Sequence, residues 1–448
     1  MRQAISILLI NPWITDFAAY NLWAEPLGLL YVASILREAG AEVQFIDCLS
    51  STRKKNPSQK ENGCSKYPRR VIEKPSALRS IERQYAVYGK DDGEFISELK
   101  SVGKPDAVVM TSHMTYWYPG VSRTIRFIRS VLGPRVPIIL GGIYVKLCEQ
   151  HARIHSGADV VFTDHSLRTL PILIEDVTGK TLNSHPSFYT FADFPLPLHE
   201  LRRGFNFFSV LTRRGCPFKC SYCACPLLSP DFASRSKESV LREIEKYTTL
   251  LNTKQIAFYD DALLFSSKQH IEPLLERIIE QGRGLSFHLP NGVHVGLMTD
   301  KIALLFFQSG VKTIRLGLET ASRELQEKTG RKTTNRDYAK AVSSLRNAGY
   351  QREEVGTYIM AGLPGQTPGD VENSLDFVHR TGGNPHLSYF SPIPGTAIFK
   401  EAVLASPFPI EEEPLFQNNT IYILGNRAFS AQSLTYLKQK AVELRGQR

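Results

Sequence analysis

Short apolar runs alternate with longer amphipathic segments along the first part of the chain. The run Ala4–Ile10 is almost continuously apolar, which is typical of a parallel strand that is covered on both faces. Pro26 then precedes a helical stretch, Leu27–Ala39, that Gly40 can end. The pattern predicts further strands at Glu42–Ile46, Ala107–Thr111, Pro137–Leu140 and Asp159–Phe162, and further helices around Val121–Val131 and Leu167–Val177. This alternation predicts an α/β fold over residues 1–180, a Rossmann-like doubly wound parallel sheet, with a long irregular stretch after the second strand.

A second alternation begins at Phe205, after residues 181–204, which have no clear period and are predicted to be a linker. Six strand–helix units in succession predict a partial (β/α)6 barrel over residues 205–398. Its predicted strands are Phe208–Leu211, Gln255–Tyr259, Leu285–Leu289, Thr313–Leu318, Val355–Met360 and Leu387–Phe390, and its predicted helices include Lys237–Leu251, Lys268–Gln281, Asp300–Gln308 and Arg336–Ala348. Residues 399–448 are expected to form a short C-terminal extension with a helix at Ser430–Leu444.

Composition places the chain among ordinary globular proteins, because 42% of its 448 residues are hydrophobic and 22% are charged. No apolar run approaches the roughly 20 residues that cross a bilayer, so no membrane span is expected. Seven cysteines are too few for a secreted disulfide framework, and an odd number cannot pair completely. A reducing compartment, the cytoplasm, is therefore the expected location.

The net charge of +10 raises the question of an anionic partner such as nucleic acid, phosphate groups or a membrane surface. The excess is local, because residues 51–90 contain 11 Lys or Arg and 3 Asp or Glu. This stretch follows the second predicted strand, on the side of the sheet where ligands bind. We interpret it as a basic insert that lines the site of an anionic or peptide substrate; the alternative is a solvated loop.

Four cysteines fall within ten residues, in the segment Cys216-Pro-Phe-Lys-Cys220-Ser-Tyr-Cys223-Ala-Cys225, directly after the first strand of the predicted barrel. That position is the rim at which barrel active sites lie. Three thiolates spaced as C-x3-C-x2-C can hold an iron–sulfur cubane and leave one iron without a protein ligand. A zinc site would require the pinched pair Cys223-x-Cys225, and a chance cluster of structural thiols is the other alternative.

The cysteine loop, with Tyr222 immediately before its third cysteine, resembles the signature of the radical S-adenosylmethionine (SAM) enzymes. The resemblance covers about Asn206 to Ala397. It implies a [4Fe-4S] cluster on Cys216, Cys220 and Cys223 and SAM bound to the fourth iron, with an external electron donor of the flavodoxin or ferredoxin type. Cys225 lies outside the motif and is interpreted as a structural thiol.

Other SAM contacts are implied at the ends of the barrel strands. Asp260 and Asp261 end the second strand, where many members carry Gly-Gly-Glu, and Glu319 ends the fourth, where the family places a polar residue on the ribose. Asn291 and Ser391 follow the third and sixth strands, and the stretch 391–395 resembles the family's loop near the adenine. The alternative for all of them is helix capping or turn formation.

The first predicted domain places its unusual residues after strands, where an open α/β sheet binds ligands. The segments that follow the strands, together with the helix start at Leu27 and Gly28, resemble the cobalamin-binding domain of one radical SAM subclass. This resemblance covers roughly residues 3–178. The implied cobalamin contacts are Asn11, Pro12, Leu27, Gly28, Ser112, Met114, Thr115, Tyr116, Trp117, Gly141 and Gly142. No Asp-x-His-x-x-Gly motif occurs, so no histidine is available from it for cobalt, and His113 and His165 are interpreted as structural. A purely structural Rossmann-like domain is the alternative.

The resemblance implies a cobalamin-dependent radical SAM enzyme, and most directly a methyltransferase that methylates an unactivated carbon by way of a 5'-deoxyadenosyl radical and methylcobalamin. A cyclase or rearrangement enzyme of the same subclass remains an alternative. An RNA methylthiotransferase would need a second three-cysteine cluster, whereas Cys48, Cys64 and Cys148 are scattered and Cys148 lies in a helical stretch. Nucleic acid is therefore not the expected partner. A non-enzymatic vitamin or redox sensor would cleave no SAM. The expected substrate is a small molecule or a peptide, and no catalytic acid or base is assigned.

Overall fold

The computed structural model describes residues 4–50, 60–185, 187, 190–424 and 429–446. Their contacts divide the chain into two compact units. The first unit comprises Met1–Phe208 with Thr249–Asn252 and Glu412–Phe416. The second comprises Ser209–Thr248, Thr253–Glu411 and Gln417–Arg448. No helix in the described ranges is long and apolar enough to cross a membrane.

The main sheet of the first unit confirms the predicted parallel arrangement. Its described strands are β1 (Ser6–Asn11), β2 (Glu42–Asp47), β3 (Ala107–Met110), β4 (Ile138–Leu140) and β5 (Val160–Val161). They pair in parallel in the order β5-β4-β3-β1-β2. The order reverses between β1 and β3, so the carboxyl ends of these two strands define the crevice at which such sheets bind ligands.

Helices cover both faces of this sheet, which explains the continuous apolar run of β1. The helices are α1 (Leu27–Glu38), α2 (Asp92–Val102), α3 (Tyr118–Leu132), α4 (Ile143–Leu147), α5 (Glu149–His155) and α6 (Leu170–Thr178). Leu8 and Ile10 of β1 pack in one core with residues of α2 and α3. Ile7 and Leu9 pack in a second core with residues of α1 and α6. Each successive side chain of β1 is therefore buried on one face or the other.

The stretch after β2 is not irregular throughout, and this expectation was wrong for α2. Asp91 caps the helix, because its carboxylate accepts a hydrogen bond of 2.8 Å from the Glu94 amide. Gly103, with φ of +79°, ends the helix, and Phe95 and Leu99 are its buried apolar residues. The capping aspartate and the terminal glycine were visible in the sequence, but only two buried apolar residues mark the inner face of the helix.

The described part of the basic insert, residues 60–90, is folded into two small antiparallel sheets. The strand Ala86–Tyr88 lies between Ile14–Asp16 and Arg69–Val71, and Ser65–Lys66 pairs with Tyr20–Asn21. Its tyrosines, Tyr67, Tyr85 and Tyr88, are all buried. The alternative of a solvated loop is therefore wrong for the paired strands and the buried tyrosines, whereas residues 72–84 are largely at the surface and residues 51–59 lie outside the described residues.

The second unit contains the predicted partial barrel. Its strands follow one another in space as they do in the chain, and the pairs from β7 to β11 are parallel. The strands are β6 (Phe207–Val210), β7 (Gln255–Phe258), β8 (Ser286–His288), β9 (Val311–Glu319), β10 (Val355–Ala361) and β11 (Asn384–Tyr389). The helices are α7 (Cys225–Leu228), α8 (Lys237–Leu250), α9 (Ile271–Gln281), α10 (Asp300–Ser309), α11 (Arg323–Lys328), α12 (Asn335–Asn347), α13 (Pro368–Arg380), α14 (Phe399–Ala405) and α15 (Ala431–Gly446).

Strand β10 shows which face of the barrel is the interior. Thr357 is wholly buried and its hydroxyl lies 2.8 Å from the Tyr338 hydroxyl of α12, so odd-numbered residues of β10 face the helices. Even-numbered residues, such as Tyr358, therefore face inward. The C-terminal helix α15 packs on α13, where Lys440 pairs with Glu372 and Asp376 at 2.7 Å each.

Candidate functional site

A sharp turn begins the cysteine loop of the second unit. The short strand Arg213–Arg214 pairs antiparallel with Ala233–Ser234, so the intervening loop leaves the rim of the barrel and returns. Gly215 has φ of +86°, and a Cβ there would lie 2.6 Å from the Asp231 carbonyl oxygen. Only glycine fits this turn, which presents Cys216 at the start of the loop.

The three motif cysteines share this loop and are half-buried. The Cys223 amide donates to the Cys220 carbonyl at 3.1 Å, and the Cys225 amide donates to the Cys223 sulfur at 3.4 Å. Burial raises the pKa of the Cys220 thiol, and raises the pKa of Cys223 to about 11. A hydrogen bond from Cys225 lowers the pKa of Cys216 to about 7. The Cys216 and Cys220 thiols both contribute to raising the pKa of Cys223, so the three groups interact electrostatically.

The donor set fits an iron–sulfur cubane better than a single ion. In the described ranges, no three Cys, His, Asp or Glu side chains converge on one metal position. A zinc ion requires such convergence, with Zn–S distances of about 2.3 Å. A [4Fe-4S] cluster does not, because each of its three thiolates binds a different iron. Since the ligands must be thiolates, cluster assembly here would release protons from Cys220 and Cys223.

Glu319 reaches the cysteine loop from the end of β9. Its φ of +65° is in the left-handed region, and the pairing of β9 with β10 shifts register between Gly317 and Glu319. Tyr222 forms side-chain hydrogen bonds with Glu319 and with Cys220. Burial raises the pKa of the Glu319 carboxyl. A strained residue at such a strand end is typical of a functional position.

Lys332 is a neighbour that the sequence analysis missed. A Cβ added at Gly317 would lie 3.2 Å from Glu319 Oε1 and 3.6 Å from Lys332 Nζ, so both charged groups lie over this glycine. The ammonium group also lowers the pKa values of Cys216 and Cys220. No sequence pattern marked Lys332, because the barrel strand and the turn before α12 bring it to the loop.

Asp260 and Asp261 have different partners although they are adjacent. The Asp260 carboxylate accepts hydrogen bonds from the Thr212 amide at 3.1 Å and the Thr212 hydroxyl at 2.6 Å, and burial raises its pKa to about 7. Asp261 accepts hydrogen bonds from the Cys225 thiol and the Gly215 amide. Asp261 therefore braces the cysteine loop, while Asp260 fixes the end of β6.

A small cleft joins several of these residues. Its lining includes Phe218, Asp260, Asp261, Gly292, His294 and Lys332. Asn291 lies beside it, because its Nδ2 donates to the Tyr259 carbonyl at 2.9 Å. Ser391 is engaged elsewhere, since its hydroxyl donates to the Gln417 carbonyl. The role of each residue in SAM binding stays a prediction.

In the first unit, Ser112 and the glycine pair form a closely packed strand end. The Ser112 hydroxyl donates to the Gly141 carbonyl at 2.7 Å. Gly142 has φ of +101°, and a Cβ there would lie 2.2 Å from the Ser112 carbonyl oxygen. The chain itself therefore requires glycine at position 142, whereas the sequence analysis related both glycines to a bulky ligand. A Cβ at Gly141 would meet nothing closer than 3.7 Å.

A hydrogen-bonded chain of side chains links the ends of β1, β2 and β3. Asn11 Nδ2 donates to Asp47 at 2.7 Å, and the His113 ring nitrogen Nε2 lies 2.9 Å from Asn11 Oδ1. Burial lowers the pKa of His113 to about 4, so the imidazole is neutral and donates this bond. Arg202 pairs with Asp47 at 3.3 Å and with Glu25 at 2.5 Å, and all three groups are buried. No sequence signal identified Arg202, which falls in the predicted linker.

The remaining predicted cobalamin contacts divide into buried and open positions. Trp117 donates from Nε1 to Asp16 at 2.7 Å. Gly28 is exposed in the first turn of α1, and a Cβ there would meet no atom within 4 Å. Met114 is also exposed, whereas Pro12, Leu27, Thr115 and Tyr116 are buried. Within the described part of the chain, no packing contact therefore requires glycine at position 28, although glycine costs about 1 kcal/mol of helix stability relative to alanine.

Comparison with known proteins confirms a radical SAM domain. The model of the radical SAM superfamily matches residues 210–378, from the end of β6 into α13. The uncharacterized methyltransferase PH0819 of Pyrococcus horikoshii is 24% identical over 434 residues, which are 90% of this chain and 84% of that protein. The tRNA-2-methylthio-N(6)-dimethylallyladenosine synthase of Syntrophomonas wolfei is 27% identical over 62% of this chain and 64% of its own length.

One solved structure has the same fold over most of the chain. It is the radical SAM methyltransferase TsrM from Kitasatospora setae, solved with cobalamin and a [4Fe-4S] cluster bound. Its TM-score is 0.65 at 17% identity, and the match covers 90% of this chain and 78% of that one. At this identity the likeness establishes a common fold.

Proposed function

Because residues 210–378 are a radical SAM domain, we propose that the protein is a cobalamin-dependent radical SAM methyltransferase that methylates an unactivated carbon. The observation that carries this proposal is the combination of two sites in one chain. One is the C-x3-C-x2-C loop at a barrel rim, and the other is a parallel-sheet unit with an open glycine, Gly28, near its strand ends. A methyltransferase name on a relative that matches 90% of the chain supports the same reading.

In the second unit, the residues of the chain hold and shield the reactive group. When bound, the cluster supplies the electron that cleaves SAM, and cobalamin supplies a carrier for the methyl group. Cys216, Cys220 and Cys223 would bind three irons, and Asp261 keeps their loop in place through the Gly215 amide. Glu319 and Lys332 place one carboxylate and one ammonium beside that loop, where the polar groups of SAM would bind.

In the first unit, the chain would bind the corrin by shape more than by a metal ligand. Asn11, Asp47 and His113 are fixed by their mutual hydrogen bonds, so the strand ends form a rigid surface. Gly28 leaves the backbone of α1 open to close approach. Met114 adds an exposed apolar side chain next to the same crevice.

A methylthiotransferase is the second candidate, since several relatives are named tRNA-2-methylthio-N(6)-dimethylallyladenosine synthase. That function would need Cys48, Cys64 and Cys148 as ligands of a second cluster. Cys48 is wholly buried in the hydrophobic core of the first unit, which leaves no room for a cluster. Cys148 lies at the bend between α4 and α5, which corrects its predicted position inside a helix. Iron near eight per chain would favour this candidate, whereas one cubane gives about four.

Labelled SAM tests the proposed function directly. The reconstituted protein is incubated anaerobically with cobalamin, a reductant of the flavodoxin or ferredoxin type, SAM labelled in its methyl group, and peptide or metabolite pools. The expected result is 5'-deoxyadenosine together with label in a carbon–carbon-bound methyl group. Formation of 5'-deoxyadenosine with an unlabelled, rearranged product would instead establish the cyclase or rearrangement alternative.

Location and substrate remain part of the proposal. We expect a reducing compartment, the cytoplasm, because the cluster loop requires free thiols. The substrate would be a small molecule or a peptide. The folded insert, residues 60–90, carries exposed basic side chains such as Arg79 and would favour an anionic one.

A further inference from the structure

The inward face of the barrel in the second unit is polar. An ordinary β/α barrel fills its interior with branched aliphatic side chains. Here the inward positions of β7 to β11 carry mainly polar groups: Gln255, His288, Thr313, Arg315, Tyr358, Asn384, His386 and Ser388. Several of them are only half-buried, so the interior is not packed shut. A polar, partly exposed interior of this kind leaves side-chain groups that a ligand can bind.

Arg315 lies across the neighbouring strand in this interior. Its Cα partner on β10 is Gly356. A Cβ at Gly356 would lie 2.6 Å from Arg315 Nη1 and 2.9 Å from its Cδ, so any other residue there would displace the guanidinium group. Gly356 has ordinary backbone angles, and its small size therefore serves to give the arginine side chain its position.

The charge of Arg315 has no counter-ion within the described part of the chain. Its Nη1 donates to the Ile314 carbonyl at 3.1 Å, and the side chain also bonds the Tyr358 hydroxyl. Both partners are neutral. Burial lowers the pKa of His288 to about 4 and that of His386 to about 3, with Arg315 contributing in each case, so neither imidazole adds a charge at neutral pH. A half-buried cation without an anion is costly unless a ligand supplies one.

Asn384 occupies the next position of the same row. It is the Cα partner of Gly356 on β11, so Arg315, Gly356 and Asn384 lie side by side on three adjacent strands. Asn384 is only 8% exposed, and among the described residues its Oδ1 has no hydrogen-bond partner. An amide can turn to present either its oxygen or its two N–H donors. Among the described residues, the row thus combines a guanidinium that has no counter-ion with an amide whose oxygen is unsatisfied.

We propose that Arg315 and Asn384 form a binding site for an oxyanion, a carboxylate or phosphate group, inside the barrel. The guanidinium offers two parallel N–H donors, and the amide of Asn384 offers a third from the far side of Gly356. That this group belongs to the substrate rests on the proposed function. Binding of the oxyanion itself does not, since it involves neither cobalamin nor turnover.

The test measures stabilisation of the cluster-reconstituted full chain by simple anions. The unfolding temperature is recorded with inorganic phosphate and with acetate, each against sodium chloride at equal ionic strength. We expect a saturable rise of about 3 °C with at least one of them. The larger of the two effects identifies the group as phosphate or carboxylate. No rise beyond the chloride control with either anion would overturn the proposal.

Three variants locate the effect. Arg315→Gln should abolish the anion-dependent rise, whereas Arg346→Gln, which removes an exposed arginine of α12, should retain it. Asn384→Asp places a carboxylate next to Arg315, so it should raise the unfolding temperature without added anion and suppress the response to anions. An undiminished response in Arg315→Gln or in Asn384→Asp would overturn the proposal. Anion binding without methyl transfer would count against the proposed function alone.

Discussion

The strand ends of the first sheet and the interior of the barrel differ in how completely their polar groups are paired. In the first unit, Asn11, Asp47 and Arg202 are bonded to one another in a closed network. In the second unit, Arg315 has no counter-ion and Asn384 leaves an oxygen unsatisfied, among the residues that the structure describes. A closed network makes a fixed surface, and an open set of charges makes a site that needs a ligand.

This difference indicates what each region can recognise. A preformed surface with an open glycine suits a large rigid ring that is held by shape, as proposed for cobalamin. Unpaired charges suit small charged groups, as proposed for SAM and for an anionic substrate. Removing a group from the closed network should therefore affect stability, whereas removing one from the open set should affect ligands.

Loss of a cluster cysteine should have the largest effect. Cys216→Ala is expected to reduce iron from about four per chain to nearly none, because a cubane held by two thiolates is not retained. SAM cleavage should disappear with it. Cys225→Ala is the matched control within the same loop and should keep its iron. Iron retained in Cys216→Ala and lost in Cys225→Ala would show that the ligand set is wrong.

Breaking the closed network of the first unit should have the second-largest effect. Arg202→Met leaves the buried carboxylate of Asp47 without its cation and leaves Glu25 with only the His199 imidazole, which should cost about 3–5 kcal/mol in the free energy of unfolding. Arg37→Met, which breaks an exposed pair with Glu200, should cost less than about 1 kcal/mol. Urea unfolding measures both, and equal losses would mean that the network is not stabilising.

Asp260 should make stability depend on pH. Its pKa is raised to about 7 when folded, so the folded state favours the protonated carboxyl. Stability from this group is complete below about pH 4 and is lost as pH rises through 7, a change of at most about 4 kcal/mol. Asp260→Asn should flatten the fall between about pH 4 and about pH 7. An unchanged pH profile in urea unfolding would contradict this.

Two glycine substitutions should distinguish a glycine that the packing of the chain requires from one that allows a ligand to approach. Their expected effects are the smallest of those considered. Gly142→Ala should destabilise the protein by about 2 kcal/mol, because its Cβ would meet Ser112. Gly28→Ala should leave stability equal or up to about 1 kcal/mol higher, yet weaken cobalamin binding. Thermal unfolding and corrin absorbance measure the two properties. Normal corrin binding by Gly28→Ala would remove Gly28 from the proposed site.

Much of the fold could be predicted from the sequence because local patterns determine it. Strand β1 is almost continuously apolar and the strand–helix alternation recurs through the barrel, so the order of strands and helices could be predicted. Helix α2 was missed since only two of its apolar residues, Phe95 and Leu99, are buried. The capping aspartate Asp91 and the terminal Gly103 were therefore the stronger signals.

The site was predictable where spacing carries the chemistry and not where the fold brings distant residues together. Cys216, Cys220 and Cys223 form one local motif. Lys332 reaches the cysteine loop only through tertiary structure, and Arg202 reaches Asp47 from 155 residues away. Asn384 and Arg315 share a row only because β9, β10 and β11 pair in one register.

The most direct test of the central claim, that one chain carries both cofactors, is the ratio of cobalt to iron. The protein is reconstituted anaerobically with iron and sulfide, incubated with hydroxocobalamin, freed of unbound cofactor by gel filtration, and analysed for both metals. We predict about one cobalt for every four irons, with corrin absorbance in the protein peak. Four irons per chain without retained cobalt would contradict it.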